Sequence, residues 1–119
     1  MSSIKIPRNE WAEFLQSFTA QHRGYRARIQ THDLETNETV VSGESALESV
    51  ELDLEDARAP RINVVVESGN KVIKHILFMP SQVILSIGGG DEALHIESVN
   101  TSTTVHLRAV AAPAADGAA

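Results

Sequence analysis

The hydrophobic period of this chain changes once, at Gly24, and that change limits the fold more than any motif does. Upstream of it, Trp11, Phe14, Leu15 and Phe18 recur at i, i+3, i+4 and i+7, the spacing that places one apolar stripe on a helix. Pro7 suits a first helical turn, where its missing N–H is no loss. Glu10 and Glu13 complement the positive end of such a helix, and His22 and Arg23 the negative end. Gly24 supplies a left-handed C-cap. The pattern predicts a helix over residues 7–23. It carries three of the five aromatic residues, so it should form the lid of the core.

Downstream the period is 2. Tyr25, Ala27, Ile29 and Thr31 alternate with Arg26, Arg28, Gln30 and His32, as in a half-buried strand. Asn37 marks a turn into a short strand over 39–42, and Val50, Leu52 and Leu54 alternate with Glu51, Asp53 and Glu55. After a loop over 56–60, β-branched residues fill 62–67 and 72–79, joined by Gly69-Asn70, a favourable two-residue hairpin turn. Pro80 stops that second strand and 83–87 resumes it. Gly88-Gly89-Gly90-Asp91 then turns the chain towards a last pair, 94–99 and 103–110. Connections this short exclude parallel crossovers.

The expected class is therefore α+β, one N-terminal helix packed on an antiparallel β-meander of about seven short strands. A bent sheet and a small barrel both satisfy the pattern, and the barrel-like version is the one expected. Residues 1–110 form the expected single domain, and 111–119 an Ala-rich tail expected to be disordered.

Composition removes several functions. The 119 residues include no cysteine, which excludes disulfides, thiol catalysis, iron–sulfur clusters and cysteine-ligated zinc. Residues 1–8 lack an apolar core of signal-peptide length, and the longest apolar run, 76–80, is far too short to span a bilayer, so a cytoplasmic location without membrane association is expected. The net charge of −6 argues against a nucleic-acid partner. Nine acids (Asp33, Glu35, Glu38, Glu44, Glu48, Glu51, Asp53, Glu55, Asp56) fall between Gln30 and Ala57, where there is no Lys or Arg, and Arg23, Arg26 and Arg28 lie just upstream. Two solvated strand faces that pair with each other account for this; a docking surface for a charged partner is the sharper alternative.

The final hairpin holds the most interesting polar set. Leu94, Ile96 and Ser98 should share an apolar face with Val105, Leu107 and Ala109, leaving His95, Glu97, Thr104, His106 and Arg108 on the other side. In one register His95 lies opposite His106; in a second, Glu97 does. Two histidines and a carboxylate can bind a divalent transition metal, whereas the ordinary reading is a polar outer face. No metal is assigned, and His95, Glu97, His106 and Arg108 stand as the candidate face.

Other single residues carry less. His75 shares a face with Ile73 and Leu77 and is expected as a core or edge histidine bonded to a backbone carbonyl. Gly88-Gly89-Gly90 is followed by Asp91-Glu92 and a strand, which reads as a turn and not a phosphate cradle. Gly43-Glu-Ser-Ala-Leu47 lacks the second glycine of a nucleophile elbow, and Ser45 with Glu48 suits the capping box of a single helical turn. The carboxylates from Glu44 to Asp56 have no local apolar pocket to raise one of them for acid catalysis. No catalytic residue and no cofactor follow.

Ile6-Pro7-Arg8-Asn9-Glu10-Trp11-Ala12-Glu13-Phe14-Leu15, then Lys74-His75-Ile76 leading to Met79-Pro80-Ser81-Gln82-Val83, then Glu92-Ala93-Leu94-His95-Ile96-Glu97-Ser98, give the chain a wider likeness. It resembles a family of small bacterial proteins of unknown function, in which an Ile-Pro-x-x-x-Trp-x-x-Phe-Leu helix precedes a β-rich body. The resemblance implies a bacterial cytoplasmic protein and transfers no catalytic or binding residue.

The function this supports is a non-enzymatic accessory or interaction protein, with an unknown protein partner or self-association through sheet edges or the helix face. The alternative is a small-molecule or metal-binding module that uses the barrel interior or the His95, Glu97 and His106 face.

Overall fold

A computed structural model describes residues 2–88 and 91–109. The helix lies where its stripe places it. Arg8–Glu10 form one 3-10 turn leading into α1 (Trp11–His22), and Gly24 follows at φ 88°, a conformation costly for any residue with a Cβ. Trp11, Leu15 and Phe18 are buried, and Phe14 packs against them part-exposed. Trp11 Nε1 donates to the Ile6 carbonyl at 3.0 Å, which fixes the entry to the helix.

Nine strands follow the alternation and pair only antiparallel: β1 (Ser2–Lys5), β2 (Arg26–Asp33), β3 (Thr39–Val41), β4 (Ser45–Asp53), β5 (Arg61–Ser68), β6 (Lys71–Phe78), β7 (Gln82–Gly88), β8 (Asp91–Glu97) and β9 (Thr101–Arg108). Their order is β1-β7-β8-β9-β2-β4-β5-β6, with β3 beside β2. Two hairpin runs, β4-β5-β6 and β7-β8-β9, thus hang on either side of β2.

β2 is the shared rail. Along one side it pairs with β9 from Arg26↔Arg108 to Asp33↔Thr101. On its other side Arg26 and Ala27 pair with β4, while Gln30 to His32 pair with β3. A bulge between Leu47 and Ser49 then turns β4 away. The helix takes the missing strand's place: Thr19 Oγ1 donates to the Val50 carbonyl at 3.0 Å and accepts from the Val50 N–H at 2.9 Å.

Inward-facing residues of every long strand meet the helix stripe in one core. Ile62, Val64, Val83, Leu94, Ile96 and Val105 have no measurable exposure. Burying each such side chain stabilises the fold by about 1.5–3 kcal/mol.

Several expectations are corrected. The sheet does not close into a barrel: β1 and β6 are its ends, because Trp11, Leu15 and Phe18 fill the space a closed wall would surround, and Thr19 satisfies β4's free edge. The arrangement is also not a simple meander, since residues 83–87 form β7 on the far side of β2 from β6. Met79, at φ 51°, and Pro80 make that corner. Nine strands replace about seven; β1, four exposed residues without alternation, is held by its pairing with β7 and leaves no sequence signal. Ser45 and Glu48 belong to β4 and not to a helical turn. Gly69-Asn70 does close the β5–β6 hairpin, with Ser68 opposite Lys71 and Gly69 at φ 64°. The tail over 111–119, and Gly89-Gly90, lie outside the described residues.

Candidate functional site

The polar outer face of β7, β8, β9 and β2 gathers the residues that carry chemistry, and the β8–β9 turn decides which of them meet. Ser98 N–H donates to the Thr101 carbonyl at 2.8 Å, so the turn is Val99-Asn100. That sets Glu97 opposite Ser102, His95 opposite Thr104, and Ala93 opposite His106. Neither expected register occurs, because the turn begins earlier than both require. His95 and Glu97 are together; His106 is two residues up its strand, opposite Arg28 of β2.

His95 forms a compact hydrogen-bonded group. Its Nε2 lies 2.9 Å from Glu97 Oε2, its Nδ1 lies 3.0 Å from Thr104 Oγ1, and Ser102 Oγ is 3.2 Å from Nε2 and 3.4 Å from Glu97 Oε2. A carboxylate only accepts, so Nε2 donates to Glu97. This hydroxyl–imidazole–carboxylate chain could polarise Thr104, but it lies on an open sheet face. Among the described residues no three His, Cys, Asp or Glu side chains are placed to hold a metal ion.

Arg108 reaches Asp91 at 3.5 Å, and its neighbour Arg26 pairs with Glu44 at 2.6 Å; all four are well exposed. Arg23 Nε donates to the Glu48 carbonyl at 3.1 Å. Of the basic group upstream of the acidic segment, Arg26 thus meets an acid side chain and Arg23 a backbone carbonyl. Asp53, opposite Arg61 and 2.9 Å from it, has its carboxyl held below the usual range, first by the Glu55 backbone N–H and then by that guanidinium. Arg28 has no ion-pair partner among the described residues.

A cavity of about 440 Å³ opens on the same face, one row above His95. Arg26, Arg28, His106 and Arg108 stand around it with Glu44 and Asp91, over a floor that includes Ala93 and Ser86. Glu92 also lines it, and Glu92 leads to a buried group that the sequence reading missed. His22 is 5% exposed, with Nδ1 2.9 Å from the Phe18 carbonyl and Nε2 2.9 Å from Glu92 Oε1. Its ring stacks on Phe18 at 4.1 Å and meets the edge of Tyr25 at 4.8 Å. The ring thus joins the last turn of α1 to Glu92 of β8 across the core. The signal was present: His22 extends Trp11, Leu15 and Phe18 at i+11, i+7 and i+4, on the buried stripe.

The remaining candidates separate. Ser45 Oγ donates to the Ala27 carbonyl at 3.1 Å and serves the β2–β4 junction. Gly88 pairs with Asp91, so the glycine segment is flanked by a hairpin and not by a helix. His75 lies on β6, an end strand of the sheet, half-buried, and burial pushes its pKa below the ordinary histidine value. The expected backbone carbonyl bond is absent among the described residues.

Strand β6 itself is the other feature. Among the described residues it pairs with β5 alone, and Val72, Ile73, Ile76 and Phe78 are all at least 41% exposed.

Residues 2–115 match the model of DUF5335, a family of unknown function. The chain belongs to that family. The match runs from β1 through β9 and so embraces the helix, the polar face and the β6 edge together. No curated protein and no solved structure matches the chain. Among the described residues no helix is long and apolar enough to cross a membrane.

Proposed function

We propose that the protein is a non-enzymatic interaction module of the bacterial cytoplasm that works through an open edge of its sheet. The observation that carries this is β6, eight residues long, with exposed apolar residues on both faces and, among the described residues, a strand partner along one side only. Such an edge exposes a row of free N–H and C=O groups, which proteins ordinarily shorten, bulge or cover. The opposite end of the sheet is shorter: β1 has four residues, Ser2, Ser3, Ile4 and Lys5, all exposed. Strand addition at an edge combines backbone bonding with side-chain pockets and needs no catalytic group. Cysteine-free composition suits a reducing compartment. The test is turnover: purified protein assayed on a broad panel of ester, amide and phosphate substrates should be inactive. Hydrolysis abolished by His95→Ala or Thr104→Val would refute the reading.

A small-molecule site is the second reading, favoured by the cavity beside Arg28 and His106. Facing across β2 and β9 with no ion-pair partner among the described residues, these two groups suit a small carboxylate or phosphate. The barrel interior is no longer part of this alternative, and His95 with Glu97 lies a row away. Ligand at one hundred times its Kd should stabilise the fold by about 2.7 kcal/mol, so a thermal-shift screen of small anions tests it. No shift at millimolar anion, or an equal shift in Arg28→Ala, would remove it.

A further inference from the structure

We infer that the cavity on the outer face of β8, β9 and β2 binds a phosphate monoester, whose doubly charged phosphate engages Arg26 and Arg108 as well as Arg28 and His106. The inference rests on the anion reading and names the class of ligand. Strand pairing builds the site from two rows of residues. One row runs Ser86, Ala93, His106, Arg28 across β7, β8, β9 and β2. The next runs Gly88, Asp91, Arg108, Arg26. Three arginines and a histidine thus form one block on two neighbouring strands, with Arg26 directly opposite Arg108 and Arg28 directly opposite His106. Beside the block Gly88 carries no side chain, and Ala93 and Ser86 carry small ones, which leaves room for the cavity of about 440 Å³.

Like charges directly opposite each other destabilise a sheet, so the Arg26–Arg108 pair breaks a local rule that folding alone gives no reason to break. The chain as a whole carries −6, which makes a cluster of this sign the exception on its surface. Glu44 and Asp91 offset the pair, at 2.6 Å from Arg26 and 3.5 Å from Arg108, but the four side chains are 57–73% exposed. Exposed ion pairs contribute little, and an incoming anion displaces them at small cost. Glu92, which also lines the cavity, is held by His22, and Arg28 has no ion-pair partner among the described residues. A ligand therefore meets one guanidinium at once and three when the two carboxylates swing aside. A carboxylate brings a single charge, whereas a phosphate monoester brings about −1.5 to −2 and three strong acceptor oxygens. Guanidinium forks bond such oxygens in pairs, and an imidazole adds an N–H donor in either neutral tautomer. The block matches the phosphate. The cavity falls within the usual small-molecule range of about 300–1,000 Å³ and exceeds what a phosphate fills, so the ligand brings an organic part, seated over Ala93.

Titration calorimetry with phenyl phosphate, benzoate and inorganic phosphate tests this, at a pH about two units above the second phosphate pKa of about 6, where the ester is doubly charged. Phenyl phosphate should bind about tenfold or more tighter than either of the others. Arg26→Ala and Arg108→Ala should each weaken it about tenfold, since each removes a hydrogen bond to a charged group. Glu44→Gln combined with Asp91→Asn should tighten it severalfold, because both arginines are then released, an effect that a merely structural role would not produce. These side chains are exposed, and Trp11 fluorescence reports that each variant is folded. If benzoate binds as tightly as phenyl phosphate and ignores Arg26→Ala and Arg108→Ala, the phosphate assignment fails while the anion reading at Arg28 and His106 stands. Equal affinity for inorganic phosphate would overturn the organic part of the ligand. Binding unchanged or weakened by Glu44→Gln with Asp91→Asn would overturn the exchange of carboxylates for phosphate. If no probe binds at millimolar concentration, the anion reading and this inference fall together.

Discussion

Replacing Thr19 by Val removes one oxygen and keeps the shape, which isolates how the helix substitutes for a strand. The hydroxyl makes two bonds to the same residue of β4, at 2.9 Å from Val50 N and 3.0 Å to Val50 O, and Thr19 is 7% exposed. In the variant both Val50 backbone groups lose their partner on that side. A buried backbone group left without a partner costs about 1–3 kcal/mol, so the pair costs about 2–6 kcal/mol. The groove beside β4 borders both Thr19 and Val50 and admits water, which selects the lower half, about 2–4 kcal/mol. Against a total stability of about 5–15 kcal/mol that is a large share. For a domain of this size it should lower the melting temperature by about 10 °C. Urea unfolding followed by the fluorescence of Trp11, the only tryptophan, measures it. The midpoint should fall with the slope unchanged, as expected for a change in stability alone. Thr19→Ser, which keeps the hydroxyl and loses one methyl, should cost only about 1 kcal/mol. If Thr19→Val costs less than that, or if the two variants cost the same, the helix is not replacing a strand and the account of the open barrel fails.

Three further outcomes follow from the same contacts. Glu92→Leu removes the acceptor on His22 Nε2 and should cost about 1–3 kcal/mol, with a coupling to His22→Phe in a double-mutant cycle above about 0.5 kcal/mol; additive losses would show that the pair is incidental. Asp33 has its carboxyl held below the usual range by the Thr36 and then the Glu35 backbone N–H, so its stabilising effect is present above the ordinary carboxyl pKa and is lost as the pH falls through the lower folded value. Asp33→Asn should therefore lower stability at neutral pH, leave it nearly unchanged below the folded pKa, and so flatten the acid limb of a stability-versus-pH curve; an unaltered limb would contradict it. Met79→Gly relieves a left-handed φ of 51° that side chains avoid and should raise stability by about 1 kcal/mol in the same urea assay, where a loss would mean that the methionine side chain matters more than the turn.

Much of the secondary structure was legible because it depends on neighbours within a few residues. The stripe of Trp11, Leu15 and Phe18 specified the helix, Gly24 ended it, and Gly69-Asn70 placed a hairpin turn, each through local backbone or face geometry. The alternation of Leu94, Ile96, Val105 and Leu107 likewise announced the apolar side of the last hairpin, all four of which are buried.

What escaped was set by contacts between segments far apart in the chain. β1 is a strand only because β7 offers it an edge, and nothing in Ser2 to Lys5 states that. The openness of the sheet depends on Thr19 reaching Val50, a pairing across 31 residues that replaces strand bonds with a side chain. The candidate site divided for a similar reason. Residue types put His95, Glu97, His106 and Arg108 on one face, but the start of the Val99-Asn100 turn decided that His95 meets Thr104 while His106 meets Arg28. Because side chains alternate along a strand, a shift of two residues in that turn changes every partner while leaving the pattern of faces untouched. His22 shows the complementary case: its place on the buried stripe was readable, yet its carboxylate partner, 70 residues away, was not. Periodicity fixes which way a side chain points, because that depends on the backbone it sits on. What it meets there depends on how distant segments share one core, and only the assembled sheet and helix decide that.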